Sequence, residues 1–130
     1  MTQDEIQLLF RDLCARLPYG VKVNFAGYSG REDCTLNAQH LNSTYSIEYL
    51  RMKPYLRPMS SMTDEEKAQV QMFMDIVTDE NYGDGYSPSA WDAMNGFVQY
   101  CDSHHLDHRG LIFKGLALEA PEGMYNTKTD

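Results

Sequence analysis

Three short stretches between residues 21 and 49 alternate apolar with polar side chains, and the connections between them are too short for the dozen or so residues that a parallel crossover needs. Val21, Val23 and Phe25 alternate with Lys22 and Asn24, Cys34, Leu36 and Ala38 with Thr35, Asn37 and Gln39, and Tyr45, Ile47 and Tyr49 with Ser46 and Glu48. A period of two is that of a half-buried strand. The expectation is a three-stranded antiparallel meander, turning at Gly27-Tyr28-Ser29-Gly30 and at Asn42-Ser43, with one apolar face that needs a helical layer on a single side.

The helices are marked by their starts. Thr2 and Glu5 form a capping box ahead of Ile6, Leu9, Phe10, Leu13 and Leu17, which recur at helical spacing until Pro18, so a helix is predicted over residues 3 to 16. Thr63 and Glu66 repeat the box before Val70, Phe73, Met74 and Val77, with Asp64 and Glu65 favourable in the first turn of a helix over 64 to 78. After a loop from Asp79 to Tyr86, Ser87-Pro88 supplies a cap and a first-turn proline for a third helix, whose buried face is read as Trp91, Met94, Phe97, Val98 and Cys101. Asp107 caps a short last helix through Leu111 and Ile112 to Lys114, stopped by Gly115. The order α-β-β-β-α-α plus a short terminal helix describes an α+β two-layer domain. Its expected core joins Ile6, Phe10, Leu13, Phe73, Val77, Trp91 and Val98 to Val23, Phe25, Leu36 and Ile47.

A length of 130 residues suits one domain over 1 to 130, with 126 to 130 as a frayed tail. Hydrophobic residues at 42% and charged residues at 23% place the chain among folding sequences rather than disordered ones. No apolar run approaches the roughly 18 residues of a membrane span, and the opening Met1-Thr2-Gln3-Asp4-Glu5 is acidic where a secretory signal is basic, so a soluble, cytoplasmic, non-membrane protein is expected. Cys14, Cys34 and Cys101 are odd in number and widely spaced, which offers neither a disulfide framework nor a C-x-x-C motif and reads as free thiols.

The formal charge of −8 is uneven. Residues 1 to 60 carry seven Lys/Arg against six Asp/Glu, whereas residues 61 to 130 carry four against thirteen. An acidic half repels phosphates, so direct nucleic-acid binding is disfavoured. From 64 to 107 there are ten acids and Lys67 alone as a base, a face that reads first as solubilising and, in a sharper version, as an imitation of nucleic-acid phosphates.

The densest set of potential metal ligands is His104, His105 and His108 with Asp102 and Asp107. On one continuous helix His104 and His108 would share a face at i, i+4, but the glutamate of H-E-x-x-H is missing and Asp107 reads as a cap that interrupts the helix. His104, His108 and Asp102 therefore belong to the alternative of a small metal-dependent enzyme, against helix-end histidines as the plainer reading. Asp79, Glu80, Asn81 and Asp84 suggest calcium, yet the twelfth position from Asp79 is Ala90 where an EF-hand places Glu. Ser60-Ser61 lacks the glycines of a nucleophile elbow, and no phosphate-binding glycine motif occurs, so no cofactor is expected.

Two prolines make the segment from Lys53 to Met59 a rigid connector rather than a helix. It gathers Arg51, Lys53, Tyr55, Arg57 and Met59, residue types enriched at interfaces and stiffened by proline, and these are the candidate contacts to an unknown protein partner. The ordinary alternative is that they cover the core and balance nearby acids.

The strings Lys53-Pro-Tyr-Leu-Arg-Pro-Met-Ser-Ser-Met-Thr-Asp-Glu-Glu and His108-Arg-Gly-Leu-Ile-Phe-Lys-Gly-Leu-Ala-Leu-Glu-Ala-Pro-Glu-Gly-Met-Tyr, with Leu13-Cys-Ala-Arg-Leu-Pro-Tyr-Gly-Val-Lys-Val, resemble a family of uncharacterised small proteins of gut Bacteroidales and their phages or prophages. The resemblance covers most of the chain and brings no activity and no functional residues. It implies a bacterial or mobile-element setting. The expectation that follows is a non-enzymatic protein-interaction module of a phage or mobile element.

Overall fold

The computed structural model describes residues 1–25, 33–42, 47–48, 51–78 and 88–125. Helix α1, Gln3–Arg16, starts as the sequence requires, with the Glu5 amide donating to Thr2 Oγ1 at 3.1 Å and the Thr2 amide to Glu5 Oε1 at 2.8 Å. Its inner face presents Ile6, Leu9 and Leu13. Leu9 and Leu13 meet Val21, Val23, Phe25, Leu36, Ile47, Met52 and Leu56, and Leu111, Leu116 and Ala117 close the same core from the C-terminal side.

The class is α+β, but the sheet is a four-stranded mixed one in the order β2-β1-β3-β4, not a three-stranded meander. The first expected strand forms as β1, Lys22–Phe25. The second is cut to β2, Cys34–Thr35, because Asn37 acts as a helix cap: its side chain accepts from the His40 amide at 3.2 Å and starts a 3-10 turn, Ala38–Leu41. The third is not where alternation placed it. Ile47 and Glu48 are helical, while Tyr45 and Tyr49 lie outside the described residues, as do the turn at Gly27 to Gly30, the loop Asp79 to Tyr86, the Ser87 cap and the tail 126 to 130.

The expected connector instead supplies an inner strand, β3, Met52–Leu56, pairing antiparallel with β1 (Val23 opposite Pro54, Phe25 opposite Met52) and parallel with β4, Leu118–Glu119. A proline normally disqualifies an inner strand. Here the position explains the tolerance. The Leu56 carbonyl faces β4, where it accepts from the Ala120 amide at 2.8 Å, so alternation turns the Pro54 nitrogen to that side too, and pairing with β4 starts only at Tyr55. Beyond Leu56, Arg57 continues the ladder against the segment after α3, its amide donating to the His105 carbonyl at 2.7 Å and its carbonyl accepting from the Asp107 amide at 2.8 Å. Between the β1 pairing and this one sits the hydroxyl of Tyr125, which accepts from the Lys22 amide and donates to the Tyr55 carbonyl, both at 2.8 Å. A side chain thus fills one rung of the backbone ladder.

Helix α2, Asp64–Thr78, and helix α3, Pro88–Ser103, pack on each other, with Phe73 against Gly96 and edge-on to Tyr100 at 6.1 Å. The second capping box holds α2: the Glu66 amide donates to Thr63 Oγ1 at 3.2 Å and the Thr63 amide to Glu66 Oε1 at 2.8 Å. The expected single core is corrected here. Phe73, Val77 and Val98 are half-buried, Phe10 lies at the core's edge, and Trp91 is 60% exposed.

Helix α3 ends in a Schellman arrangement: the Leu106 amide reaches the Cys101 carbonyl at 2.9 Å, the His105 amide reaches the Asp102 carbonyl at 3.3 Å, and His105 takes the left-handed position at φ 60°. The expected last helix is a single turn. Both carboxylate oxygens of Asp107 accept from the Leu111 and Ile112 amides, and Gly115, at φ 74°, stops the chain in a second Schellman pair, Leu116 to Leu111 and Gly115 to Ile112.

Candidate functional site

The left-handed turn at His105 ends the helix between His104 and His108, so the three histidines separate. A carbonyl only accepts, so His104 donates from Nδ1 to the Tyr100 carbonyl at 2.8 Å, and its ring stacks on that tyrosine at 4.0 Å. His105 is buried, its ring stacked at 3.8 Å on Tyr125. Burial, with Arg16 and Arg57 close by, pushes its imidazole down to about 4, so it is neutral at pH 7. His108 donates from Nε2 to Asp102 Oδ1 at 3.0 Å. Among the described residues no three His, Cys, Asp or Glu side chains gather where they could hold a metal ion.

Asp102 belongs to a buried ion cluster instead. Arg109 Nη1 donates to Asp12 Oδ1 at 2.7 Å and to Asp102 Oδ1 at 2.8 Å, and Arg16, fully buried, donates from Nε to Asp12 Oδ2 at 2.9 Å and from Nη2 to the Leu106 carbonyl at 2.7 Å. Burial alone would raise the Asp102 carboxyl, but His108, Arg109 and Arg16 hold it down at about 2. Every carboxylate oxygen of Asp12 and Asp102 is engaged by a cation, so the cluster offers no position for a substrate. It ties α1, the end of α3 and the following turn together. Asp12 and Arg16 escape sequence reasoning because an acid and a base at i, i+4 are the commonest surface pair on a helix.

The five connector residues separate as well. Arg57 is 7% exposed: Nη1 and Nη2 form a two-pronged pair with Glu66 at 2.8 and 2.7 Å, and the same nitrogens donate to the His104 and Ser61 carbonyls. Its guanidinium is held inside the fold, where it pins the first turn of α2 to the end of β3. Lys53 and Tyr55 lie half-buried on the outer face of the sheet, and the Tyr55 hydroxyl donates to Asp33 Oδ1 at 3.0 Å. Arg51 is exposed at φ 50°, just before β3, and Met59 is half-buried in a 3-10 turn, Met59–Ser61. Arg51 and Lys53 line one hollow with Met1 and Glu48. Arg57 borders another of about 310 Å³, together with Pro58, Ser61, Glu119, Glu122 and Tyr125. The Ser61 hydroxyl there donates to the Pro58 carbonyl at 2.7 Å.

What stands out on the surface is helix α3. Ala90, Ala93 and Cys101 are buried, while Trp91, Met94 and Val98, at i, i+3 and i+7, form a second apolar stripe beside them. At its C-terminal end this stripe runs into Asp102, which Arg16 of α1 approaches at 3.6 Å and which Arg109 bridges to Asp12. Further back, Gln99 still reaches the Tyr19 hydroxyl at 3.3 Å, and there α1 has already ended at Arg16 and the chain has turned away at Gly20, φ 73°. In the N-terminal half Trp91 is 60% and Met94 40% exposed. The sequence reading placed Trp91 and Met94 on the buried face of this helix and is corrected here, since periodicity reports an apolar face and not what lies against it.

No helix among the described residues is long and apolar enough to cross a membrane. No protein-family model, curated protein or solved structure matches the chain.

Proposed function

We propose that this chain is a non-enzymatic protein-interaction module that docks its partner through the outer stripe of α3, in the phage or mobile-element setting that the family resemblance implies. The observation that carries the reading is the exposure of Trp91, the one tryptophan of the chain, on a helix whose Ala90 and Ala93 are buried. Tryptophan is the residue type most enriched among interface anchors, and an uncovered one beside an exposed methionine makes an apolar site without a catalytic set. Asp12, Arg16, Arg57, Glu66, Asp102 and His105 are buried in the fold.

The test replaces Met94 by a photo-crosslinking amino acid in the cells that make the protein. The expected result is an adduct with another protein that disappears when Trp91→Ala is added. A folded protein that forms no adduct from position 94, but does so from the Arg51 and Lys53 surface, would return the interface to the connector.

A further inference from the structure

We infer that His105 and Tyr125 form an acid-sensitive latch: when the buried imidazole takes up a proton, the strap from Pro121 to Tyr125 lifts while α1 and the sheet stay folded. The place of the imidazole carries this. His105 is 9% exposed, its ring lies against the Tyr125 ring at 3.8 Å, and its Nδ1 has no hydrogen-bond partner among the described residues. A neutral imidazole can leave one ring nitrogen bare at modest cost, but an imidazolium is a charge with a donor on each nitrogen.

The charged groups around it act against a further proton. They are Arg16 from α1, Arg57 from the end of β3 and the adjoining His104. The acids on the elements packed around it are bonded elsewhere: Glu66 to Arg57, Asp12 to Arg16 and Arg109, Asp102 to Arg109 and His108, and Asp107 to the Leu111 and Ile112 amides. Glu119 on β4 and Glu122 on the strap are exposed, and burial pushes the Tyr125 phenol up to about 12, so it stays neutral.

Of the parts enclosing the imidazole, the strap is the one that can move without unpacking the core. The backbone at His105 is fixed, its carbonyl accepting from the Arg57 amide and its amide donating to the Asp102 carbonyl. The strap begins after Ala120, whose amide is bonded to the Leu56 carbonyl; Pro121, Glu122 and Gly123 are exposed, and Gly123 turns at φ 85°. A hollow of about 310 Å³ separates it from Arg57, Pro58 and Ser61. Lifting it breaks the two hydroxyl bonds of Tyr125 and leaves the pairing of β3 with β4 in place. The Lys22 amide then loses its acceptor and reports the opening.

The experiment follows amide hydrogen exchange of the intact chain by NMR at pH 7, 5.5 and 4.5 in a series of sub-denaturing urea concentrations, and converts the rates to opening equilibria. Glu66 and Asp102, held at about 2, remain ionised in the fold throughout. An open form whose imidazole regains an ordinary value near 6.5, against about 4 in the fold, is favoured about 50-fold between pH 7 and 4.5. The expected result is that rise at the Lys22 amide, independent of urea, while the Leu9 and Leu13 amides of α1 open only with the urea dependence of global unfolding. His105→Asn removes the pH dependence at Lys22, and Tyr125→Phe makes its exchange fast at all three pH values. A Lys22 opening unchanged by pH, or one as sensitive to urea as α1, overturns the latch. So does an acid rise that persists in His105→Asn, or a Lys22 amide still protected in Tyr125→Phe.

Discussion

Arg57→Ala tests the pin between β3 and α2. The substitution removes the bonds of 2.8 and 2.7 Å to Glu66 and the donors to the Ser61 and His104 carbonyls, leaving Glu66, 4% exposed, with the Thr63 amide as its remaining donor. The cost follows from two directions. Burial alone would raise the Glu66 carboxyl, yet the Arg57 guanidinium and the Thr63 amide hold it at about 2 against an ordinary 4.5, and at roughly 1.4 kcal/mol per pH unit this amounts to about 3 kcal/mol. Removing one partner of a buried pair costs about 3 to 5 kcal/mol in general. Both point to about 3 to 4 kcal/mol, a large share of a total of roughly 5 to 15. Urea denaturation followed by circular dichroism at pH 7 measures it. The folded carboxyl titrates below its unfolded value, so its contribution is present above about pH 4.5 and is lost as pH falls toward about 2. The difference between wild type and Arg57→Ala therefore narrows through that window, while the similar titration of Asp102 occurs in both proteins and cancels. Arg57→Met combined with Glu66→Met regains most of the loss, since no buried charge is left alone. A single variant within about 1 kcal/mol of wild type at pH 7, or a difference that stays constant on acidification, refutes the reasoning.

Tyr125→Phe keeps the ring stacked on His105 but strips a partner from both the Lys22 amide and the Tyr55 carbonyl, and is expected to cost about 1 to 3 kcal/mol in the same denaturation assay. Gly96→Ala would set a Cβ 2.7 Å from the Phe73 ring, so instead of the gain of about 1 kcal/mol usual within a helix it destabilises by about 1 to 3 kcal/mol, and adding Phe73→Leu restores part of the loss in thermal melts. His105 stays neutral in the fold down to about 4 whereas its unfolded counterpart protonates near 6.5, so wild type loses stability as pH falls from about 6.5 to about 4. His105→Asn, which tolerates the left-handed backbone, flattens that part of a stability against pH curve.

The elements that could be read from the sequence are those specified within one or two turns. Both capping boxes, the limits of α1 and α2 and the alternation of β1 depend on neighbours only, and each stands where it was expected. Strand β3 was hidden because Pro54 argues against an inner strand unless one knows that its nitrogen points to where β4 has not yet begun. Strand β4 is two residues long and pairs in parallel with a strand more than sixty residues earlier, a relation no local pattern carries. For the candidate site the same limit applies. Trp91 and Met94 read as buried from their helical spacing although they are exposed, and Arg57, which resembles a surface contact among basic neighbours, is buried by an acid nine residues further on.

The hydroxyl of Tyr125 in the ladder has a consequence for the order in which the molecule can be made. Its bond to the Lys22 amide joins residues 103 positions apart, and the bond from Arg16 to the Leu106 carbonyl spans 90. Helix α1 and strand β1 are synthesised before the groups that complete the bonding of Asp12 and Arg16 and fill the ladder beside Lys22. Until then the Lys22 amide and the Arg16 Nη2 lack the partners they have in the fold. Contacts of such long sequence separation slow folding, because loop closure precedes any reward from them. A chain lacking residues 106 to 125 is therefore expected to leave α1 and β1 without these partners.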